Sequence, residues 1–190
     1  MKVICLNGSP LTEGNTATMI RVFSETAAER GADVETIHLN ELTYRGCQSC
    51  MRCKGETDHC TVQDDLTGVL AAVREADVLV MGSPIFFGEV SSQLKGFIDR
   101  TFSFLNPGFA SGAMPSRLDP GKTLVMMLPQ GAPDETSFND VYPRYAGFYK
   151  WFGYEHRYEL RGCGLGDPGD ASGNEALLEK VRNVAREIVE

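Results

Sequence analysis

The chain has 190 residues, 42% of them hydrophobic and 23% charged, which suits a soluble chain with a real core and excludes a disordered or fibrous one. Its formal net charge of −8 argues against a nucleic-acid partner, whose phosphates need a basic face. No run approaches the roughly 18 apolar residues of a membrane span, and the apolar start, Met1 to Leu6, is too short for a signal peptide.

These features predict a cytoplasmic protein with one domain over 1–190, no membrane association, and six cysteines that stay reduced or hold a metal. Lys2 to Leu6 reads as a buried strand ended by the turn Asn7-Gly8-Ser9-Pro10. Thr16 to Arg30 places Met19, Ile20, Phe23 and Ala27 at helical spacing and stops at Gly31. Val34 to Leu39 alternates as a strand. Leu66 to Glu75 is a helix with Leu66, Val69, Leu70 and Val73 on one side. Asp77 to Met81 is a second buried strand, closed by Gly82-Ser83-Pro84. Val90 to Phe104 is expected to be helical throughout, with Leu94, Phe97, Ile98 and Phe102 in register. Thr123 to Leu128 is a further apolar strand. Tyr142 to Phe152 is an aromatic-rich helix, His156 to Leu160 the last strand and Asn174 to Val189 the last helix.

Continuous apolar strands alternating with helices mean a parallel sheet covered on both faces. Five such units predict an α/β, flavodoxin-like, doubly wound five-stranded parallel sheet. Ligands of that architecture lie beyond the carboxyl ends of the strands, at the switch point. Chemistry is therefore expected on three turns, Gly8 to Thr16, Ser83 to Gly88 and Pro129 to Asp134.

The first turn joins a strand to a helix. Its glycines allow backbone N–H groups to point inward, and Ser9, Asn15 and Thr16 add short polar side chains before the positive end of a helix. That describes a cradle for one phosphate, with an ordinary turn capped by Thr16 as the plainer alternative. It is neither a Walker A loop nor a dinucleotide fingerprint, because Asn15 stands where lysine would be and G-x-G-x-x-G is missing. The second turn, Pro84, Ile85, Phe86, Phe87 and Gly88, ends a buried strand with adjacent aromatics, which suit a flat ring. The third, Gln130, Gly131 and Ala132, is uncharged and contains glycine. One phosphate cradle and two ring walls fit a flavin mononucleotide, FMN.

Ser9-Pro10 followed by Gly14-Asn15-Thr16 resembles the phosphate loop of the NADPH-dependent FMN reductase family. Gly82-Ser83-Pro84-Ile85-Phe86-Phe87-Gly88, with Gln93, Leu94, Lys95, Phe97, Asp99 and Arg100 after it, is similar to that family's most specific segment. Phe86 departs from the tyrosine common there. The resemblance runs over most of residues 1 to 130. It implies bound FMN and a homodimer or homotetramer, with structural or subunit-contact roles for Lys95, Asp99 and Arg100.

Cys47, Cys50, Cys53 and Cys60 share one turn-rich loop with the spacing C-x2-C-x2-C-x6-C. Consecutive C-x2-C steps wrap a compact centre, as in iron–sulfur ligation. Four thiolates also suit zinc, remain as bare thiols in cluster-free reductases, or pair as disulfides in an oxidised preparation. The motif is similar to that of the iron–sulfur flavoproteins, a branch of the same family. This implies a [4Fe–4S] cluster on all four, its negative charge offset by Arg45, Arg52 and Lys54. Cys5 reads as a buried hydrophobe, and Cys163 has no spaced partner.

Phe138, Tyr142, Tyr145, Tyr149 and Phe152 recur at helical spacing, as in a core or subunit-interface stripe. The Pro/Gly-rich stretch Asn106 to Gly121 is long for a compact domain and is expected to cover the flavin or reach another subunit. No side chain presents itself as a nucleophile or general base, so redox chemistry falls to the flavin. The expected function is electron transfer through FMN and the cluster. The alternatives are a cluster-free NAD(P)H-dependent FMN or quinone reductase and a non-catalytic flavin-binding partner protein. NAD(P)H, quinone or ferredoxin are the expected redox partners. NAD(P)H would stack on the flavin as an exchangeable substrate.

Overall fold

The computed structural model describes residues 1–110 and 115–190. Five strands pair in parallel: β1 (Lys2–Asn7), β2 (Asp33–His38), β3 (Val78–Gly82), β6 (Lys122–Pro129) and β7 (Tyr154–Gly162). Their order is β2-β1-β3-β6-β7, the flavodoxin-like arrangement, with the strand direction of travel reversing at β1 and β3. A separate antiparallel pair, β4 (Ile85–Phe86) and β5 (Glu89–Val90), stands at the end of β3.

Successive residues of the central strands point to opposite faces, and both faces are covered. Ile4, Leu6, Leu79, Met81, Leu124 and Met126 face a core shared with α2 (Leu66–Glu75), α3 (Ser92–Arg100) and α4 (Val141–Trp151). Val3, Cys5, Val78, Val80, Val125 and Met127 face a second core with α1 (Asn15–Glu29) and α6 (Glu175–Ile188). A short α5 (Asp170–Gly173) precedes α6. Cys5 lies wholly inside the second core, and burial pushes its thiol up to about 11. It is the small buried hydrophobe the sequence predicts.

Two expected elements change shape. The helix expected over Val90 to Phe104 starts only at Ser92, because Val90 pairs with Ile85 in the small hairpin. Ser91 then caps the helix, accepting a hydrogen bond from the Leu94 N–H, and the last turn, Thr101–Phe104, tightens to a 3-10 helix. The last strand is longer than expected, nine residues with charged side chains along an outer edge, as suits an edge strand. Within the stretch 106–121, residues 111–114 lie outside those described. Its ends are zipped together: Asn106 N–H donates to Pro115 and Arg117 N–H to Phe104. Phe109 packs against Phe102 and Trp151. Among the described residues no helix is long and apolar enough to cross a membrane.

Candidate functional site

The first two turns are stitched together at the carboxyl end of β1 and β3. Gly8 N–H donates to the Gly82 carbonyl at 2.8 Å, and Ser91 Oγ donates to the Gly8 carbonyl at 2.6 Å. Gly8 tolerates no side chain. A Cβ there would come within 2.7 Å of Leu94 Cβ and 3.0 Å of the Gly82 carbonyl. Ser83 Oγ accepts from Ser91 N–H at 2.8 Å and ties the start of α3 to the end of β3.

The loop after β1 is shaped by Asn7, a fully buried residue that sequence reading placed only as a turn. Its Oδ1 accepts from Ser9 N–H at 2.9 Å, and Ser9 Oγ accepts in turn from Leu11 N–H at 3.1 Å. Pro10 is exposed at the loop's outer edge. The helix begins earlier than expected: its N-cap is Gly14, not Thr16, with extended backbone and no side-chain acceptor. The first N–H groups of a 15-residue helix are thus left uncapped, with the partial positive charge of the helix end behind them. This is what a phosphate needs. Thr16, nearly buried, packs its methyl where a Cβ on Gly82 would clash at 2.7 Å. Asn15 is occupied elsewhere. Its Nδ2 donates to the carbonyls of Leu165 and Asp167, and its Oδ1 accepts from Ala171 N–H at 2.9 Å. The Asn15 side chain therefore straps the 165–171 segment to the cradle, and only its backbone N–H remains for a phosphate.

The second turn is the β4–β5 hairpin. Phe87 and Gly88 form its tip, both with positive φ, 50° and 78°, and the Phe87 ring is fully exposed. A bulky residue in the left-handed region costs free energy that packing usually repays, and here no packing does. Phe86 is half-exposed, and Pro84 and Ile85 are partly buried at the base.

The third turn meets the second. A Cβ on Gly88 would lie 3.3 Å from the ring of Phe138, itself at φ 62°. Gln130 does not offer its side chain to a ligand. It is buried, its Nε2 donates to the carbonyls of Ala132 and Asp134, and its Oε1 accepts from Arg161 at 2.7 Å. Arg161 also donates to the carbonyls of Glu135 and Ser137. Gln130 thus shapes the turn that presents exposed Gly131 and half-buried Ala132. The largest cavity, about 720 Å³, runs from His38 over α1 to Pro168 and flanks the first turn rather than joining it to the hairpin.

The cysteine loop lies elsewhere, over the α3 end of the molecule. All six cysteines are free. Cys47, Cys50, Cys53 and Cys60 line one cavity of about 170 Å³, together with Arg100, Phe102 and Ser103. Among the described residues no three His, Cys, Asp or Glu side chains converge as a cage for a single ion. The sulfurs instead surround a space, an arrangement that suits a polynuclear cluster better than tetrahedral zinc, whose sulfurs sit about 2.3 Å from one centre. Between the first three cysteines, Ser49 and Met51 take left-handed backbone, φ 52° and 58°. Such alternations turn successive N–H groups inward, as at many phosphate and iron–sulfur sites. The residues present therefore fit a cluster. All four described non-glycine residues with positive φ fall in this loop or in the two ring walls.

The charge around the loop differs from expectation. Arg45 contributes backbone groups, and Arg52 is exposed and paired with Glu56 at 2.8 Å. Lys54 donates to the carbonyls of Phe102 and Leu105 and lies over the Phe102 ring. The cation at a sulfur is Arg100. Its Nε donates to Cys60 Sγ at 3.0 Å. The Cys50 thiol is held below its ordinary value, chiefly by the Arg52 N–H and then by the Thr61 hydroxyl. His59 is exposed and pairs with Asp58, and partly buried Cys163 lies beside the third turn, where Gly164 N–H donates to the Ala132 carbonyl.

Residues 1–127 match the family model of the NADPH-dependent FMN reductases. An iron–sulfur flavoprotein of Methanocaldococcus jannaschii is 31% identical over 193 aligned positions, covering all of this chain and 96% of that protein. One from Archaeoglobus fulgidus is 37% identical over 102, covering 53% of this chain and 49% of that protein. Among solved structures, an NAD(P)H:quinone oxidoreductase from Methanothermobacter marburgensis superposes with a TM-score of 0.78 at 20% identity, over 100% of this chain and 98% of the other. An FMN-dependent NADH-azoreductase from Bacillus anthracis, solved with FMN, gives 0.76 at 15% identity, over the whole of both chains. At such identities these two speak for the fold.

Proposed function

The chain belongs to the NADPH-dependent FMN reductase family, in its iron–sulfur flavoprotein branch, and from that premise we propose that it transfers electrons through FMN and a [4Fe–4S] cluster. It is an FMN-dependent oxidoreductase. The observation that carries the finer reading is the convergence of Cys47, Cys50, Cys53 and Cys60 on one cavity in a chain with an uncapped phosphate cradle.

FMN exchanges electrons singly or in pairs and a cluster exchanges them singly, so a protein holding both connects two-electron with one-electron partners. This chain's residues bind and orient. Ser9, Thr16 and the N–H groups of Gly14, Asn15 and Thr16 would hold the phosphate, beside Pro10. Pro84, Ile85, Phe86, Phe87 and Gly88 would form one wall of the ring site, and Gly131 and Ala132 the other, with Gln130 fixing the turn. Cys47, Cys50, Cys53 and Cys60 would ligate the cluster. NAD(P)H or quinone at the exposed ring, and a one-electron carrier such as ferredoxin at the cluster, are the partners this arrangement suits. Exposed Phe148 and Trp151 beside the aromatic cavity of α3 and α4 favour a homodimer or homotetramer.

Reductive titration under anaerobic conditions tests the reading. FMN and one cluster together take up about three electrons per chain, two on the flavin and one on the cluster. Uptake of two, with FMN present, would leave a cluster-free NAD(P)H-dependent reductase.

A further inference from the structure

Arg100 is the largest fully buried side chain in the molecule, and it sits on the apolar face of α3 in step with Leu94 and Phe97. A guanidinium in that position needs partners on every side. NH1 donates to Asp64 Oδ2 at 2.8 Å and to the Arg45 carbonyl at 2.9 Å. NH2 donates to the Val62 carbonyl at 2.9 Å. Nε points at Cys60 Sγ at 3.0 Å. The backbone carbonyls and Asp64 hold the fork rigidly, so the N–H aimed at sulfur is preset rather than recruited. Asp64 in turn accepts from the N–H groups of Arg45 and Leu66, which fixes its own orientation.

We propose that Arg100 sets the reduction potential of the cluster by donating a charge-assisted hydrogen bond to the sulfur of Cys60, with Asp64 balancing its charge. This rests on the reading that the four cysteines hold a cluster. Gaining one electron makes a thiolate-bound cluster one unit more negative. A cation fixed at a ligand sulfur favours that reduced state, since hydrogen bonds to the sulfurs and local charge are what set such potentials. Asp64 works the other way by cancelling part of the arginine's charge. The two residues therefore pull the potential in opposite directions, which mere support of the loop would not do.

The test is the midpoint potential of the cluster, read by electron paramagnetic resonance during dithionite titration of the anaerobically purified holoprotein, with iron and acid-labile sulfide measured alongside. Arg100→Met lowers the potential, by about tenfold in the reduction equilibrium, or about 59 mV for one electron. Asp64→Asn raises it. If Arg100→Met fails to retain iron, Asp64→Asn alone still decides, because its carboxamide keeps the oxygen that Leu66 N–H needs. Unchanged potentials with iron retained, or a fall in Asp64→Asn, overturn the proposal. Wild-type protein with FMN but no iron or sulfide overturns the cluster reading itself, and this proposal with it.

Discussion

The three turns at the carboxyl end of the sheet are positioned by strands paired residue against residue, from Val3 opposite Val78 to Asn7 opposite Gly82. The cysteine loop has no strand, only the short 3-10 turn Arg52–Lys54, and it hangs from three cationic side chains. Arg100 holds Arg45, Cys60, Val62 and Asp64. Lys54 holds Phe102 and Leu105. Arg117 reaches the carbonyls of Cys53 and Ser103. A flavin face built into the sheet inherits the stability of the core. A loop held by polar contacts depends on a few charged groups, and binding a metal centre would add much of its rigidity. Damage to one region should therefore leave the other largely intact.

The largest expected effect lies on the flavin face. If Thr16 gives its hydroxyl to the FMN phosphate, Thr16→Val weakens FMN by about 10- to 100-fold, since hydrogen bonds to charged groups are worth roughly 1.5–3 kcal/mol. Riboflavin, without the phosphate, should be nearly unaffected. Fluorescence titration showing equal loss of both ligands would remove Thr16 from the cradle.

Gly8→Ala comes next. The new Cβ meets Leu94 Cβ and the Gly82 carbonyl, neither of which is the end of a flexible chain. Overpacking of this kind costs about 1–3 kcal/mol, or a Tm lower by about 2–4 °C per kcal/mol in a chain this long. Calorimetry should show the fall, with iron content unchanged. Iron lost in step with FMN would mean that the two regions are coupled.

The cysteine loop should show its own dependence on acid. Burial opposes the Asp64 charge, but Arg100 and the Arg45 and Leu66 N–H groups hold its carboxyl below the ordinary 3.8. As pH falls, the unfolded chain takes up the proton first. The stabilisation is complete above 3.8 and is lost as pH drops through the lower folded-state value. Thermal midpoints of wild type and Asp64→Asn should separate above about pH 4 and converge toward pH 3. Parallel curves would remove Asp64 from the support of the loop.

Phe87→Asn should change least in stability. The ring contacts nothing, and asparagine tolerates left-handed backbone, so unfolding should stay within about 0.5 kcal/mol of wild type. Turnover with a ring substrate should fall, because that wall of the site is gone. Unchanged turnover would leave Phe87 without a part in the ring site.

The same contrast governs what the sequence reveals. Ten elements of the βα alternation are legible because each carries a long apolar run or a helical stripe. Leu66 to Glu75 agrees with the observed helix at both ends. The β4–β5 hairpin escapes reading because its strands have two residues each and its turn is Phe-Gly, not the Asn-Gly or Asp-Gly that signals a tight hairpin. The cradle and the ring walls are readable as loops because strand ends place them. Asn15 and Gln130 are misread in role because their side-chain partners lie up to 156 residues away. Arg100 lies 40 residues from Cys60, beyond any local pattern. One signal was present: an arginine three residues after Phe97 and six after Leu94, on the buried stripe of an amphipathic helix.

The division of labour between the two regions is tested most directly by the composition of Cys50→Ser. Wild type purified without oxygen should carry about one FMN, four iron and four sulfide per chain, as one [4Fe–4S] cluster requires. Cys50→Ser should lose iron and sulfide together and keep its FMN, while Cys163→Ser should change neither. FMN-loaded wild type without iron and sulfide, or a Cys50→Ser protein that loses FMN in step with iron, would contradict it.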